Sequence, residues 1–516
     1  MVDKQANTRR LAKNTLLLTF RSVFNLFCSL YSSRLILQAL GVVDYGIYNA
    51  VAGFVSMFVL VTGSMSTAIS RFITIELGKK NYEQLRRVFS MSLNIMICFA
   101  VIVFLLTESF GMWFLENKMT IPEGRENAAF WVFQFSVISI ISNLIIVSYN
   151  AEVIAHEKMG IYAYTGIAET LFRLFLAVFM VYGAYSMDTL VFYGIACLVA
   201  TLGVAAFVIV YCRRRFQECR FQPVFDKILF KDMFSYAGWH FMEQISSTFS
   251  GQGVNMAINV FLGPVVNTAR GLTNTVSNLV SLFVKNFTMA IRPQIIKSYA
   301  VGELDYMKML TFRGSKFSFF IMLFLTLPLC LETEFALSIW LVEVPAHTAN
   351  FIRLSLLYSQ LGIIDAVFRI PKNATKDIRN YKVVVSIIEF LNFPFSYLVL
   401  KYGYAPESIF IVAILLSIPR ILTIQRTVSK TFHYSTMEVF TSIYARLFMV
   451  VIVAAAIPAF IHFKMPYGWA RTIAVGFSCV LCTAAAIYGV GCNPAERQFL
   501  LDAVRKGWDR IRNKRS

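Results

Sequence analysis

Charge is the scarcest commodity in this sequence. Only 15% of its 516 residues are charged and 57% are hydrophobic, with a mean hydropathy of +0.62. A soluble domain carries roughly a quarter charged residues, so a water-facing surface over most of the chain is excluded. Acids are scarcer still, 29 against 48 lysines and arginines, for a net charge of +19. Nucleic acid is not the expected partner, because the basic residues fall in short clusters between apolar segments, as in loops facing anionic lipid. No glycine-rich loop followed by lysine offers a phosphate cradle, so no built-in ATPase is expected. Histidine appears five times, at scattered positions. The nine cysteines, Cys28, Cys98, Cys197, Cys330 and Cys479 among them, lie mostly inside apolar runs without metal-ligand spacing. Neither catalytic residues, nor a metal, nor a cofactor, nor a disulfide framework is expected.

What is abundant is long apolar segments, with 48 phenylalanines and 23 tyrosines suited to lipid and headgroup contact. The predicted fold class is an all-α polytopic membrane protein of about fourteen transmembrane helices. The expected spans are 14–40, 46–74, 88–114, 128–151, 159–183, 188–211, 235–262, 265–290, 314–340, 350–370, 381–400, 407–428, 437–460 and 469–491. The polar, basic start from Met1 to Lys13 leads into an apolar run too long for a signal-peptide core, so that run is expected to stay as the first span.

Orientation follows from the basic residues. With the N-terminus inside, 36 of the 48 lysines and arginines fall on the cytoplasmic side, including Arg213, Arg214 and Arg215, then Arg292, Arg369 and Arg420. The opposite side receives Lys118, Arg125, Arg270, Arg353, Lys401, Lys464 and Arg471. Both termini are therefore expected in the cytoplasm. After Pro494, Leu500, Val504, Trp508 and Ile511 recur at helical spacing against Arg505, Lys506, Arg510 and Arg512, an amphipathic interfacial helix.

The chain also resembles itself at an offset of about 220 residues. Glu169 and Tyr182-Gly183 answer Glu389 and Tyr402-Gly403; Thr107-Glu108 and Trp113 answer Thr333-Glu334 and Trp340; Leu40-Gly41 answers Leu262-Gly263, and Arg71 answers Arg292. Two six-helix lobes are expected, parallel repeats around a central cavity, at 1–212 and 235–430, joined by a cytoplasmic loop at 213–234. Helices 13 and 14 follow at 431–492, and a basic tail at 493–516. Parallel repeats can rock about a shared cavity, which favours a transporter over an enzyme.

Polar residues that should not meet lipid mark the expected site, since each needs a partner or a wet cavity. In the first span Arg21, Asn25, Ser29 and Ser32 share one face; in the eighth, Arg270, Asn274, Asn278, Ser281 and Lys285 stay within a stripe about 80° wide on an ideal helix. These stripes, with Arg34 near the outer surface, would bind an anion, since guanidinium and ammonium groups hold phosphate oxygens by charge-assisted hydrogen bonds. Glu243 and Asp365 are the candidates for gating or cation coupling. Glu169, Arg173 and Glu389 read as structural charges, with Arg173 one turn after Glu169.

The stretch Leu40-Gly41-Val42-Val43-Asp44-Tyr45-Gly46-Ile47-Tyr48, then Gly63 and Arg71-Phe72, resembles the first two helices of bacterial polysaccharide exporters. These are the O-antigen and capsule repeat-unit flippases of the multidrug/oligosaccharidyl-lipid/polysaccharide (MOP) superfamily. The resemblance implies a MATE-like, V-shaped pair of lobes in the bacterial inner membrane. It implies a cargo of undecaprenyl-pyrophosphate-linked oligosaccharide, moved from the cytoplasmic to the periplasmic leaflet for lipopolysaccharide O-antigen, capsule or exopolysaccharide assembly. Cationic residues of the first and eighth helices serve such cargo, and Arg21, Arg34, Arg270 and Lys285 lie on those helices here. Glycan polymerase and ligase membrane proteins are the implied partners; with no ATPase expected, the drive is an ion gradient, with Na+ or H+ as the coupling ion, the membrane potential or the substrate gradient. A multidrug antiporter of the same fold is the main rival, although the first helix holds no acid and the nearest, Asp44, lies beyond its end. A peptidoglycan-precursor flippase and a non-transporting scaffold for glycan assembly are the others.

Overall fold

The computed structural model describes residues 4–78, 81–156, 158–183, 186–219, 222, 226–375 and 379–498. Every regular element among them is helical: α1 Lys4–Ser56, α2 Leu60–Gly78, α3 Tyr82–Leu106, α4 Met112–Asn117, α5 Glu126–Ala155, α6 Met159–Tyr182, α7 Thr189–Arg215, α8 Lys227–Thr248 and α9 Val254–Val301 come first. The rest are α10 Leu304–Leu331, α11 Thr333–Trp340, α12 Thr348–Ala374, α13 Arg379–Lys401, α14 Ser408–Phe432, α15 Thr436–Val439, α16 Ala445–Lys464 and α17 Trp469–Ala486. Among the described residues, 11 helical segments are long and apolar enough to cross a membrane. The chain is a polytopic helical membrane protein, and helices suit it because they satisfy every backbone donor internally where no water reaches. Large apolar side chains such as Phe448 and Phe463 stay exposed, as a lipid-facing surface requires. The amphipathic tail expected after Leu500 lies outside the described residues.

Helices extend past the apolar runs that announce them. α10 begins at Leu304, about three turns before the apolar run at 314, because helical hydrogen bonding continues through polar residues. One of them, Lys308, meets Glu438 at 2.6 Å. Caps set other starts: Asp188 accepts from the backbone N–H groups of Leu190 and Val191 ahead of α7, and Asp226 does the same for Ile228 and Leu229 ahead of α8.

Two glycines break the two longest helices in one conformation. Gly41 in α1 has φ 71° and ψ 175°, and Gly263 in α9 has φ 78° and ψ −176°. This backbone region is essentially reserved for glycine. Other repeat pairs match in their contacts. Thr107 and Thr333 each turn a buried hydroxyl back onto carbonyls one turn earlier, Val103 and Leu329. Glu108 accepts from Gln134 of α5 at 3.3 Å, and Glu334 from Arg353 of α12 at 3.2 Å.

The chain forms two compact units, one of Met1–Thr275, Trp340–Phe351 and Lys382–Leu416, the other of Val276–Ile339, Ile352–Tyr381 and Ser417–Ser516. In the first, α1 packs on α5 and α6, and α5 on α2, α3 and α7, with Phe89, Tyr149, Val208 and Phe216 in the core. In the second, α10 packs against α16 and α17. Charges buried in that packing are matched: Lys316 meets Glu496 at 2.6 Å with both side chains under a tenth exposed. Glu332 meets His462 at 2.8 Å and Arg471 at 2.9 Å.

Each residue of the Asp44-Tyr45-Gly46 motif has work to do. Asp44 takes the Arg125 guanidinium, which donates from Nε at 2.8 Å and also bonds Asp188. Tyr45 is buried. A Cβ on Gly46 would lie 1.9 Å from the Pro264 carbonyl oxygen, so only glycine lets the start of the helix after Gly41 approach α9. Thr268 seals the crossing by donating to the Val42 carbonyl at 2.6 Å. Gly46→Ala should therefore lower the thermal midpoint in detergent, by about 1–3 kcal/mol of overpacking. Gly203→Ala, on α7 with nothing within 4 Å, should leave it unchanged or raised.

The Arg125 cluster also predicts a pH dependence. Burial would raise the Asp188 pKa, but the Arg125 hydrogen bond and the capped backbone N–H groups outweigh it and hold it low. A depressed carboxylate stabilises the fold above its unfolded pKa of about 3.9, and the contribution fades as pH falls through the folded value. Asp188→Asn should lower the midpoint at neutral pH, and the gap from the unaltered protein should close as the pH falls below about 4.

Candidate functional site

The continuation of the eighth-span stripe along α9 forms one wall of a cavity of about 640 Å³ inside the second unit. Ser281, Lys285, Thr288 and Arg292 advance by four, three and four residues and so line it from one helix face. α12 supplies the opposite wall through Tyr358, Asp365, Arg369 and Asn373, and α14 contributes Arg420. Four cationic side chains thus face one carboxylate.

That carboxylate is caged. Asp365 Oδ2 lies 2.9 Å from Arg420 Nε and 3.3 Å from an Arg369 terminal nitrogen. The Asp365 and Arg420 side chains are only 4% and 9% exposed. Arg420 also donates to the Tyr358 hydroxyl at 3.3 Å and lies 5.7 Å from the centre of its ring. Lys285 and Arg292 are exposed and have no ion-pair partner among the described residues. The site therefore offers two cations ready for an incoming anion, backed by two guanidiniums bound to an internal counter-ion.

α12 presents a second face to a different space. Leu356, Leu357, Leu361 and Ile364, with Leu323 and Phe448, line an apolar cavity of about 810 Å³ in the same unit. One helix separates a cationic chamber from an apolar one.

The structure brings Lys285 and Asp365 into one cavity. Asn274 and Asn278 are exposed on α9. Arg270 is half-buried, its guanidinium 4.7 Å from the Phe410 ring centre. Asn25 and Arg34 are half-buried on α1. The side chains of Arg21 and Glu243 lie outside the described residues. Arg173 reaches Glu169 at 2.9 Å and the Cys197 sulfur at 3.6 Å, and Glu389 is half-buried on α13. Arg292, Arg369 and Arg420 are cavity residues that charge counting placed only on the cytoplasmic side. The seven-residue step from Lys285 to Arg292 and the four-residue step from Asp365 to Arg369 were legible signals for two of them. Arg420 had none, because its partner lies on another helix.

Asp365→Ala should destabilise the protein by about 3–5 kcal/mol, the cost of stranding a buried charge. Millimolar inorganic pyrophosphate should restore part of the thermal midpoint by taking the place of the carboxylate between Arg369 and Arg420.

With the geometry described, comparison with known proteins places the chain. The sequence pattern of the family described as "Polysaccharide biosynthesis protein" matches residues 3–301. No curated protein sequence matches the chain. Among solved structures, the chain is similar to the lipid II flippase MurJ in an inward closed conformation, with a TM-score of 0.68 at 12% identity, covering 92% of this chain and 99% of that one. It is also similar to an inward-facing MATE-family multidrug resistance transporter of the MOP superfamily, with a TM-score of 0.64 at 13% identity over 79% of this chain and 96% of that one. A MOP superfamily transporter from Pyrococcus furiosus, described by the reverse polarity of its binding pocket, aligns with a TM-score of 0.57 at 13% identity over 82% and 97%.

Proposed function

Because the chain belongs to the polysaccharide biosynthesis protein family and has the MOP-superfamily fold, we propose that it is a flippase. Its cargo is an undecaprenyl-pyrophosphate-linked oligosaccharide, carried from the cytoplasmic to the periplasmic leaflet by alternating access. The observation that carries this reading is the cavity in which Lys285, Arg292, Arg369 and Arg420 face the single carboxylate of Asp365. A diphosphate head group meets Lys285 and Arg292 first. It then competes with Asp365 for the guanidiniums of Arg369 and Arg420, so that Asp365 acts as a movable counter-ion and a gate. Exposed Asn274 and Asn278 offer hydrogen bonds to sugar hydroxyls, and Arg21, Asn25, Arg34 and Arg270 remain the proposed substrate-binding residues of the first and eighth spans. The apolar chamber behind α12 suits a cargo with a hydrocarbon tail.

The reading of about fourteen spans, in two six-helix lobes with two further helices, draws support from the matched breaks at Gly41 and Gly263, which divide α1 and α9. Cytoplasmic termini and an inner-membrane location rest on the asymmetry of basic residues. An ion gradient of Na+ or H+ supplies the drive, with Glu243 the remaining coupling candidate, and glycan polymerase and ligase enzymes are the membrane partners. Cargo for O-antigen, capsule or exopolysaccharide shares the same diphosphate.

A multidrug antiporter has the same fold, but cationic drugs would meet a surplus of positive charge, and the cavity's one acid is already paired. A lipid II flippase is chemically nearer, since its cargo also carries a diphosphate. Translocation of fluorescent undecaprenyl-pyrophosphate oligosaccharide in proteoliposomes, beside lipid II, separates the two. Lys285→Ala and Arg292→Ala should each slow transfer at least about tenfold, the loss of one charge-assisted hydrogen bond. Equal rates in the intact protein and both variants would remove the cavity from the mechanism.

A further inference from the structure

A buried cluster far along the chain from the cavity residues has the makings of a metal site. Glu152 and His156 sit one turn apart at the end of α5, and Glu218 reaches them from the short helix Gln217–Cys219 that follows α7. One ligand atom from each lies within 4.8 Å of the others. His156 Nε2 is 2.7 Å from Glu218 Oε1 and 3.7 Å from Glu152 Oε1. The imidazole is held in place by stacking on Phe216, ring centres 4.2 Å apart and planes 15° apart.

Glu152 is the telling residue. It is 0% exposed, and neither carboxylate oxygen has a hydrogen-bond partner among the described residues. A buried carboxylate without a donor is costly unless a cation meets it or it takes up a proton. A protonated His156 would satisfy Glu218 at 2.7 Å but leave Glu152 beyond hydrogen-bond range and the cluster one negative charge in excess. Two carboxylates and a neutral imidazole are instead balanced by a divalent ion. Bonds of about 2.0–2.2 Å to nitrogen and oxygen place tetrahedral ligand atoms roughly 3.5 Å apart, and the observed separations bracket that spacing.

The geometry points to a divalent-cation site of the zinc class formed by Glu152, His156 and Glu218, with water completing the shell, that clamps the end of α5 to the connection after α7. Nitrogen and carboxylate donors suit a borderline ion better than a soft one. Cys212 lies outside the group of ligand atoms within 4.8 Å of one another, and its thiol donates to the Tyr149 carbonyl. Scattered histidines argued against any metal in the sequence, but Glu152 and His156 share a helix face and Glu218 joins them only through the fold.

The test uses full-length protein purified in detergent without a histidine tag, stripped with chelator and titrated with Zn²⁺. One Zn²⁺ per chain should survive gel filtration, and Co²⁺ in its place should show visible absorption bands of a four-coordinate ion. Glu152→Gln and Glu218→Gln should each weaken Zn²⁺ binding at least about tenfold and abolish those bands while eluting as the intact protein does. If Glu152→Gln fails to fold, the partly exposed His156→Gln carries the same comparison. Substoichiometric Zn²⁺ in the intact protein, or equal Zn²⁺ in folded variants, overturns the proposal. Neither outcome depends on what cargo the protein moves.

Discussion

The pairing of Asp365 with Arg420 on adjacent helices is the interaction on which the cavity depends. Burying either charge alone in a membrane helix is unfavourable, and a 2.9 Å contact makes the burial tolerable. The same constraint runs through the chain. Lys316 with Glu496, Arg173 with Glu169, Glu332 with His462 and Arg471, and Arg125 with Asp44 and Asp188 are all matched. Against that background Lys285 and Arg292 differ, since they face an open cavity with no acid of their own among the described residues.

Glycine sets the framework of the first unit. Gly41 and Gly263 turn the chain through a conformation no other residue adopts readily, and Gly46 lets the helix start that follows come within reach of Pro264. The Arg125 cluster ties Asp44, beside the first of these turns, to the capping residue of α7. The residues that carry the family resemblance, Leu40 to Tyr48, thus serve architecture. Asp44 in particular is engaged by Arg125.

Much of the fold could be read from apolar length, because lipid leaves the backbone no alternative to helix. The self-similarity was also legible, and Thr107 with Thr333 and Glu108 with Glu334 make matching contacts. Helix ends were less legible: α10 starts well before its apolar run, since hydropathy reports lipid contact and not hydrogen bonding. Lys285 and Asp365 line one cavity, and helical spacing could not show that they converge. Arg369 and Arg420 were legible only as charges toward the cytoplasmic side, because a count of positive residues cannot tell a loop from the end of a cavity. Glu152 and Glu218 escaped notice for the same reason, since they lie far apart in sequence and meet only through the packing of α5 and α7.

The account's central claim is that this cavity is built for an anionic lipid head group. Equilibrium binding of undecaprenyl pyrophosphate and of the cationic dye rhodamine 6G to the intact protein in detergent, across a range of salt concentrations, tests it most directly. The account predicts saturable binding of the pyrophosphate lipid that weakens as salt screens the cavity, with no competition from the dye. Tight dye binding that pyrophosphate does not displace would contradict it.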